Sequence, residues 1–203
     1  NTLTGAGGND TYVFGEHWLK DIIVETVNGG LDTLDFSALL FDLNFIFSSS
    51  GGSVSGDSGS GVCTVEYSGE VVEHFIGGSG NDIFKFLDKA VVRGSIDGRE
   101  GYNTLDYSNY GSAVALNLGT STATGLAKFS NILNLIGSAH NDSLTGYDED
   151  TRFAINAENY GKVNNTIDFS KIENLIGGKG NDTFAFAGNG RVAGSINGGG
   201  GIN

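Results

Sequence analysis

The chain has 203 residues, with 24 acidic against 11 basic side chains for a formal charge of −13, and with 34 glycines and no proline. That balance argues against nucleic acid and anionic membrane surfaces as partners and in favour of cations, and so much glycine without proline fits neither collagen nor a flexible linker but a fold with many ordered turns. No apolar run nears the roughly 20 residues needed to span a bilayer, no basic-then-apolar leader opens the chain, and the one cysteine, Cys63, cannot form an internal disulfide.

Residues 1–5 (NTLTG) match residues 142–146 (DSLTG), so the chain opens on the tail of a motif. Residues 5–14 (GAGGNDTYVF) then give the first copy of a unit that returns at 77–86 (GGSGNDIFKF), at 177–186 (GGKGNDTFAF) and, altered, at 137–146 (GSAHNDSLTG). Residues 16–25 (EHWLKDIIVE), with the only tryptophan, read as a short helix or as a strand displaced by an insertion. The low-complexity residues 48–61 (SSSGGSVSGDSGSG) read as a flexible loop between strands at 41–47 and 62–67. Near the middle, GTSTATG at 119–125 supplies the turn of one further coil, and the closing SINGGGGIN at 195–203 matches SIDGREGYN at 95–103. Interrupted motifs at both ends are expected of a window cut from a longer repetitive polypeptide.

Aligned on the Asp position, the turns fall at Asp10, Asp32, Asp82, Asn103, Asp142, Asn165, Asp182 and Asn203, paired at separations of 22, 21, 23 and 21 residues. T-[LI]-D-[FY]-S segments at Thr33, Thr104 and Thr166 follow second turns, and VEHFIG, ILNLIG and IENLIG precede first turns. A fixed succession of strands and turns at this period predicts an all-β fold: a single continuous parallel β-solenoid, a β-roll or β-helix, over 1–203 with coils of about 20 residues. About ten coils at ~4.8 Å would make a rod on the order of 45–50 Å long. Within strands the period is two, which places Tyr12 and Phe14, Phe84 and Phe86, Leu105 and Tyr107, Ile167 and Phe169, and Phe184 and Phe186 on one face as a buried aromatic ladder.

Residues 77–85 and 177–185 match the nonapeptide G-G-x-G-x-D-x-U-x at every defined position, 5–13 departs at Ala6, and 137–145 departs at Ser138 and His140. On these residues the chain resembles the haemolysin-type, or RTX, calcium-binding repeat family. The resemblance implies Ca²⁺ held between stacked turns on one edge: at Gly77, Gly78, Gly80 and Asp82 with Gly98, Gly101 and Asn103; at Gly177, Gly178, Gly180 and Asp182 with Asn203; at Asp10 with Asp32; and at Asp142 with Asn165. Glycines would supply positive-φ backbone that aims carbonyls inward, and Asp an anionic oxygen for a hard cation. Longer coils and Asn at most second turns depart from the family pattern. The same residues also suit turns in which Asx side chains bond backbone amides with no metal present.

His17, His74 and His140 lack metal-ligand spacing, and Asp35, Asp106 and Asp168 recur as a capping or edge ladder rather than a catalytic row. The expectation is a non-enzymatic, calcium-stabilised extracellular segment of a large secreted bacterial surface protein or adhesin. Its partners would be calcium ions and neighbouring repeats or identical segments end to end, with no nucleic acid and no membrane insertion. The resemblance implies export by a type I system. The alternatives are the non-catalytic part or β-helix of a secreted polysaccharide-processing enzyme, with departures from the repeat near 17–21 and 148–152, and a filament subunit stacking end to end.

Overall fold

The structure is a computed structural model that describes residues 1–16, 18–27 and 29–203. Every regular element among them is a β-strand, and the strands form one sheet of twelve and one of ten. Between Phe75 and Leu105 the chain shows the plan: His74–Ile76 lies in the smaller sheet, Ile83–Leu87 in the larger, Val92–Asp97 in the smaller and Thr104–Asn109 in the larger. Successive strands of one sheet pair in parallel, with Phe45, Phe84, Leu105, Leu135 and Phe169 in one register row of the larger sheet. Leu34, Phe75, Ile96 and Phe129 make the matching row of the smaller one. This is a β-solenoid-like topology.

The period-two alternation produces the core. Aromatic rings pack from strand to strand, Phe45 stacked on Phe84 at 4.4 Å, Phe86 stacked on Tyr107 at 4.7 Å and Phe47 tilted against Phe86 at 4.9 Å between centroids. Phe47 of the larger sheet meets Phe75 of the smaller edge-on at 4.8 Å, so the inner faces of both sheets share one core. Each buried aromatic adds about 1.5–3 kcal/mol of apolar transfer, and each well-placed ring pair about 0.5–1.5 more. Phe186 departs from the expected ladder at 52% exposure, because its strand, Thr183–Phe186, is the last of the larger sheet.

The expectation of a purely parallel solenoid is corrected by three antiparallel excursions. Leu43–Ser48, Gly51–Asp57 and Val62–Ser68 form the first, and Arg152–Ala157, Tyr160–Val163 and Ile167–Ser170 the second, both in the larger sheet. Ala115–Asn117, Thr122–Ala123 and Leu126–Ser130 form the third, in the smaller sheet. Each excursion adds two strands, so among the described residues the basic coil, one strand per sheet, occurs eight times rather than ten. GTSTATG is therefore a hairpin, not the turn of a further coil.

Residues 48–61 are not one continuous loop, since a strand at 51–57 stands between a turn at 49–50 and a loop at 58–61. Gly51–Asp57 pairs on both sides, and Val54 is fully buried. The glycines there serve packing: a Cβ on Gly52 would lie 2.4 Å from the Tyr67 hydroxyl. Of residues 16–25, Lys20–Glu25 is a strand that buries Asp21 and Ile23 on its inner side.

Candidate metal centre

The predicted turns divide between two edges. Those at Asp10, Asp32 and Asp142 carry the chain from the larger sheet to the smaller, and those at Asp82, Asn103 and Asp182 carry it back. The single edge implied by the resemblance is thus corrected to two. Asn165 belongs to neither. With Asn164 it takes the two central positions of the turn between Tyr160–Val163 and Ile167–Ser170, closed by the Thr166 N–H donating to the Val163 carbonyl at 3.0 Å, at φ of 47° and 58°, left-handed values that Asn tolerates. Asp142 consequently has no stacking partner at Asn165.

What the Asx side chains do is uniform. The Asp82 backbone N–H donates to Asn103 Oδ1 at 2.9 Å, and that of Asp182 to Asn203 Oδ1. The Asp10 N–H donates to Asp32 Oδ1 at 2.9 Å, the Asp32 N–H to Glu73 Oε2 at 2.8 Å, and the Asp142 N–H to Glu173 Oε2 at 2.8 Å. Each coil thereby caps an amide of the one before it. The preceding Asn works in the opposite direction, Asn81 Oδ1 accepting from the Tyr102 N–H and Asn181 Oδ1 from the Ile202 N–H. Both carboxylate oxygens of Asp82 are occupied, Oδ1 by the Leu43 N–H and Oδ2 by the Gly78 N–H, each at 2.9 Å. Asp182 repeats this with the Thr151 and Gly178 amides, and Asp142 with those of Val114 and Ser138. The Asn103 amide nitrogen donates to the carbonyls of Gly98, Glu100 and Asn131 at 2.8, 2.9 and 3.0 Å. Protein donors meet the side-chain oxygens of Asp82, Asn103, Asp142 and Asp182, and none of these four is left with an unpaired buried oxygen among the described residues.

The motif glycines are required, though not for the expected reason. None of Gly77, Gly78, Gly80, Gly98, Gly177, Gly178 and Gly180 has a left-handed φ; among the predicted site glycines only Gly101 does, at 87°. A Cβ on Gly77 would lie 2.3 Å from Asp82 Oδ2, and one on Gly178 would lie 1.4 Å from the Tyr147 carbonyl oxygen. The Asp side chain of the same turn at Gly77, and the backbone of the neighbouring coil at Gly178, leave no room for a Cβ.

The first turn is built differently. Asp10, Glu25 and Asp32 each place an oxygen within 4.8 Å of the others. Glu25 Oε1 accepts the Gly5 N–H and the Tyr12 hydroxyl. Asp10 Oδ2 and Glu25 Oε2 are buried and have no hydrogen-bond partner among the described residues. Burial raises the Asp32 pKa, helped by the Glu25 and Asp10 charges, and burial followed by the Glu25 hydrogen bond raises that of Tyr12. Two like charges 4 Å apart repel by about 4 kcal/mol at an effective dielectric constant of 20, and no cationic side chain pairs with this trio among the described residues. An all-oxygen anionic donor set suits a hard divalent cation of the calcium or magnesium kind, which Asp10, Glu25 and Asp32 would hold. Such an ion would supply the missing positive charge.

Glu25, Glu73 and Glu173 were missed by the turn alignment. The signal for the last two stood in VEHFIG and IENLIG, where Glu occupies the place of Leu133 in ILNLIG. Asp35 and Asp106 accept the amides of Ser37 and Ser108 in local Asx turns, whereas Asp168 pairs with Lys162 at 2.7 Å and accepts the Tyr102 hydroxyl. The three do not form a row: Asp106 registers with Ile136 and Asp168 with Asn134, while Asp35 is in the other sheet. His74 Nδ1 meets Ser95 Oγ at 2.8 Å, a cross-coil contact that Asn174 and Ser195 repeat at 2.9 Å. His140 is exposed on its turn, and His17 lies outside the described residues. Of the two breaks in the repeat, Asp21 is buried against Asn1, and Asp148 pairs with Lys179 while Asp150 accepts the Asn181 N–H.

No protein-family model matches this chain, and no curated protein is similar to it.

A pH prediction follows from the buried carboxyls. Asp82 is fully buried, and burial pushes its pKa up to about 6 against the lowering effect of the Leu43 and Gly78 amides, while Asp32 shifts in the same direction. The folded chain therefore binds these protons more tightly than the unfolded one. Their stabilising contribution is complete below the ordinary carboxyl range and is lost as pH rises through the raised folded value. In chelator, the melting temperature should increase as pH falls from 7 to 5. Calorimetric scans across that window check it.

Proposed function

We propose that the chain is a structural, non-enzymatic segment of a large secreted protein of the RTX-like kind, whose folding is supported by calcium at the Asp10–Glu25–Asp32 centre. The observation that carries this reading is the convergence of three carboxylates with two buried, unpaired oxygens in a chain of formal charge −13. It is supported by the tying of coil to coil through Asx side chains, which suits a load-bearing rod, and by the motif residues that resemble calcium-binding repeats. In the cell, calcium scarcity would leave the centre repulsive, and calcium outside would neutralise it. This gives export before completion of the fold a physical basis.

The test is isothermal titration of the chelated protein with CaCl₂ together with thermal melts. Saturable binding is expected, and calcium at about 100 times Kd should stabilise by about 2.7 kcal/mol. No heat of binding and superimposable melts with and without calcium would reject the reading.

A further inference from the structure

The outer face of the larger sheet carries polar and aromatic groups that neither the core nor the turns use. Among the described residues only three aromatic side chains are exposed, Tyr102, Tyr160 and Phe186, and the first two lie on this face around one carboxylate, Asp168. Ile167 and Phe169 are buried in the core, so Asp168 between them points outward. Register places Thr104, Asn134, Asp168 and Lys162 in one row across four adjacent strands, with Tyr160 in the next row beside Ser170. At about 4.8 Å per strand the row is about 14 Å long.

A carboxylate on the outer face of a sheet is ordinarily solvated, yet Asp168 is 9% exposed. Its Oδ2 accepts both the Lys162 ammonium at 2.7 Å and the Tyr102 hydroxyl, while Oδ1 is buried and has no hydrogen-bond partner among the described residues. Burial works against the charge, but the Lys162 and Tyr102 hydrogen bonds outweigh it and hold the carboxyl below its usual range, so the group is an acceptor only. A buried acceptor without a donor is costly, and a donor supplied from outside recovers that cost. Tyr102 is a cover that can move. Its backbone N–H is held by Asn81 Oδ1 at 2.7 Å, and its side chain reaches past the strand of Asn134 to Asp168, two strands from Thr104. Rotation about side-chain bonds alone would withdraw it. Asn134 Nδ2 donates to Thr104 Oγ1 at 3.2 Å and adds an amide to the row.

We propose that this face binds a neutral, extended oligosaccharide at Asp168, under Tyr102 and beside Tyr160. Sugar hydroxyls donate to Asp168 in place of the Tyr102 hydroxyl and accept from Lys162 and Asn134, while the C–H faces of the sugar rings rest on the two tyrosine rings. The Tyr102 hydroxyl already stands where such a donor would bind. The charges select against other ligands. Lys162 pairs with Asp168, and Lys85 pairs with Asp106 at 3.4 Å, so the patch has balanced charge, and the formal charge of −13 disfavours an anionic chain. A cation at Asp168 would meet Lys162 at contact distance. The strand spacing of about 4.8 Å is close to the length of one residue in an extended sugar chain, so successive residues address successive strands. This activity is separate from the calcium reading, since Asp168 has its counter-ion within the chain.

Calorimetric titration of the full chain with cellohexaose, chitohexaose and β-1,4-mannohexaose tests it, with hexalysine and an oligogalacturonate run in parallel and backbone NMR shifts locating the contact. At least one of the three neutral chains should bind, in chelator and in calcium alike, and shift the amides of residues 102–106, 134–136 and 160–170. Tyr160→Ala removes one exposed ring and should weaken binding by about three- to tenfold. Asp168→Asn removes the charged acceptor and should weaken it by about tenfold or more. Tyr102→Phe keeps the ring and deletes the competing hydroxyl, so binding should tighten by about threefold. Tyr160 is exposed, so its variant keeps the test decisive even where Asp168→Asn fails to fold. No binding of any neutral chain, shifts confined to other faces, or tighter binding of hexalysine or the oligogalacturonate would overturn the proposal. Full affinity in Tyr160→Ala, or weaker binding in Tyr102→Phe, would overturn the assigned roles of the two rings.

Discussion

Replacing Asn103 by aspartate should destabilise the chelated protein by about 3–5 kcal/mol, the cost of a buried charge left uncompensated. The side chain is fully buried, and its Oδ1 would keep the Asp82 N–H. The second carboxylate oxygen, however, would replace an amide nitrogen that now donates to three carbonyl oxygens at 2.8–3.0 Å. Oxygen would face oxygen on three sides. The same arrangement, one carboxylate and three carbonyls, is a donor set for Ca²⁺ at about 2.3–2.6 Å. Calcium should therefore recover much of the loss in Asn103→Asp, and the midpoint of denaturant unfolding should become calcium-dependent by more than in the parent. Denaturation series with and without calcium measure both effects. A variant as stable as the parent in chelator would show that Asn103 is not the clasp of its turn.

That substitution also marks how far the sequence could be read. The motif located each turn and the strand that follows it: Phe84 and Phe86, Leu105 and Tyr107, and Phe169 all lie in the core. What the motif could not convey was the direction of each crossing. Asp10 and Asp82 sit in nearly identical decapeptides yet lead into different sheets, Thr11–Val13 in the smaller and Ile83–Leu87 in the larger, because an odd number of crossings separates the two strands. The excursions were hard to see for physical reasons. Asn164–Asn165 copies an Asx of the turn motif while serving as a hairpin turn, and Gly51–Asp57 is a strand whose glycines make room for Tyr67 and Phe41. A glycine required for close approach cannot be told from one required for φ by sequence alone. Glu25 was invisible for a related reason, since it lies outside any turn motif and joins Asp10 and Asp32 only through the pairing of Thr2–Ala6 with Lys20–Glu25.

The reciprocal change, Asp82→Asn, should cost about 1–3 kcal/mol, the penalty for a buried donor left without an acceptor. Oδ1 would still accept the Leu43 N–H, but the new amide nitrogen would face the Gly78 N–H, donor against donor. Asp82→Ala orphans both amides and should cost about twice as much. Both variants should also lose the part of the pH 4–6 slope that comes from a carboxyl held near 6. The backbone at each turn has thus chosen its side chain: a peptide N–H points inward at Gly78 where the Asx is acidic, and carbonyls point inward at Gly98 and Glu100 where it is an amide. Exchanging the pair in one double variant, Asp82→Asn with Asn103→Asp, keeps the composition and the charge but mismatches both backbones. The two residues touch, the Asp82 N–H donating to Oδ1 of residue 103, so the two losses should not add: removing the charge at 82 relieves its repulsion of the new carboxylate at 103, and the double variant should lose less than the sum of the single losses by about 0.5–3 kcal/mol. Losses that add to within about 0.5 kcal/mol would mean instead that each side chain senses only its own turn.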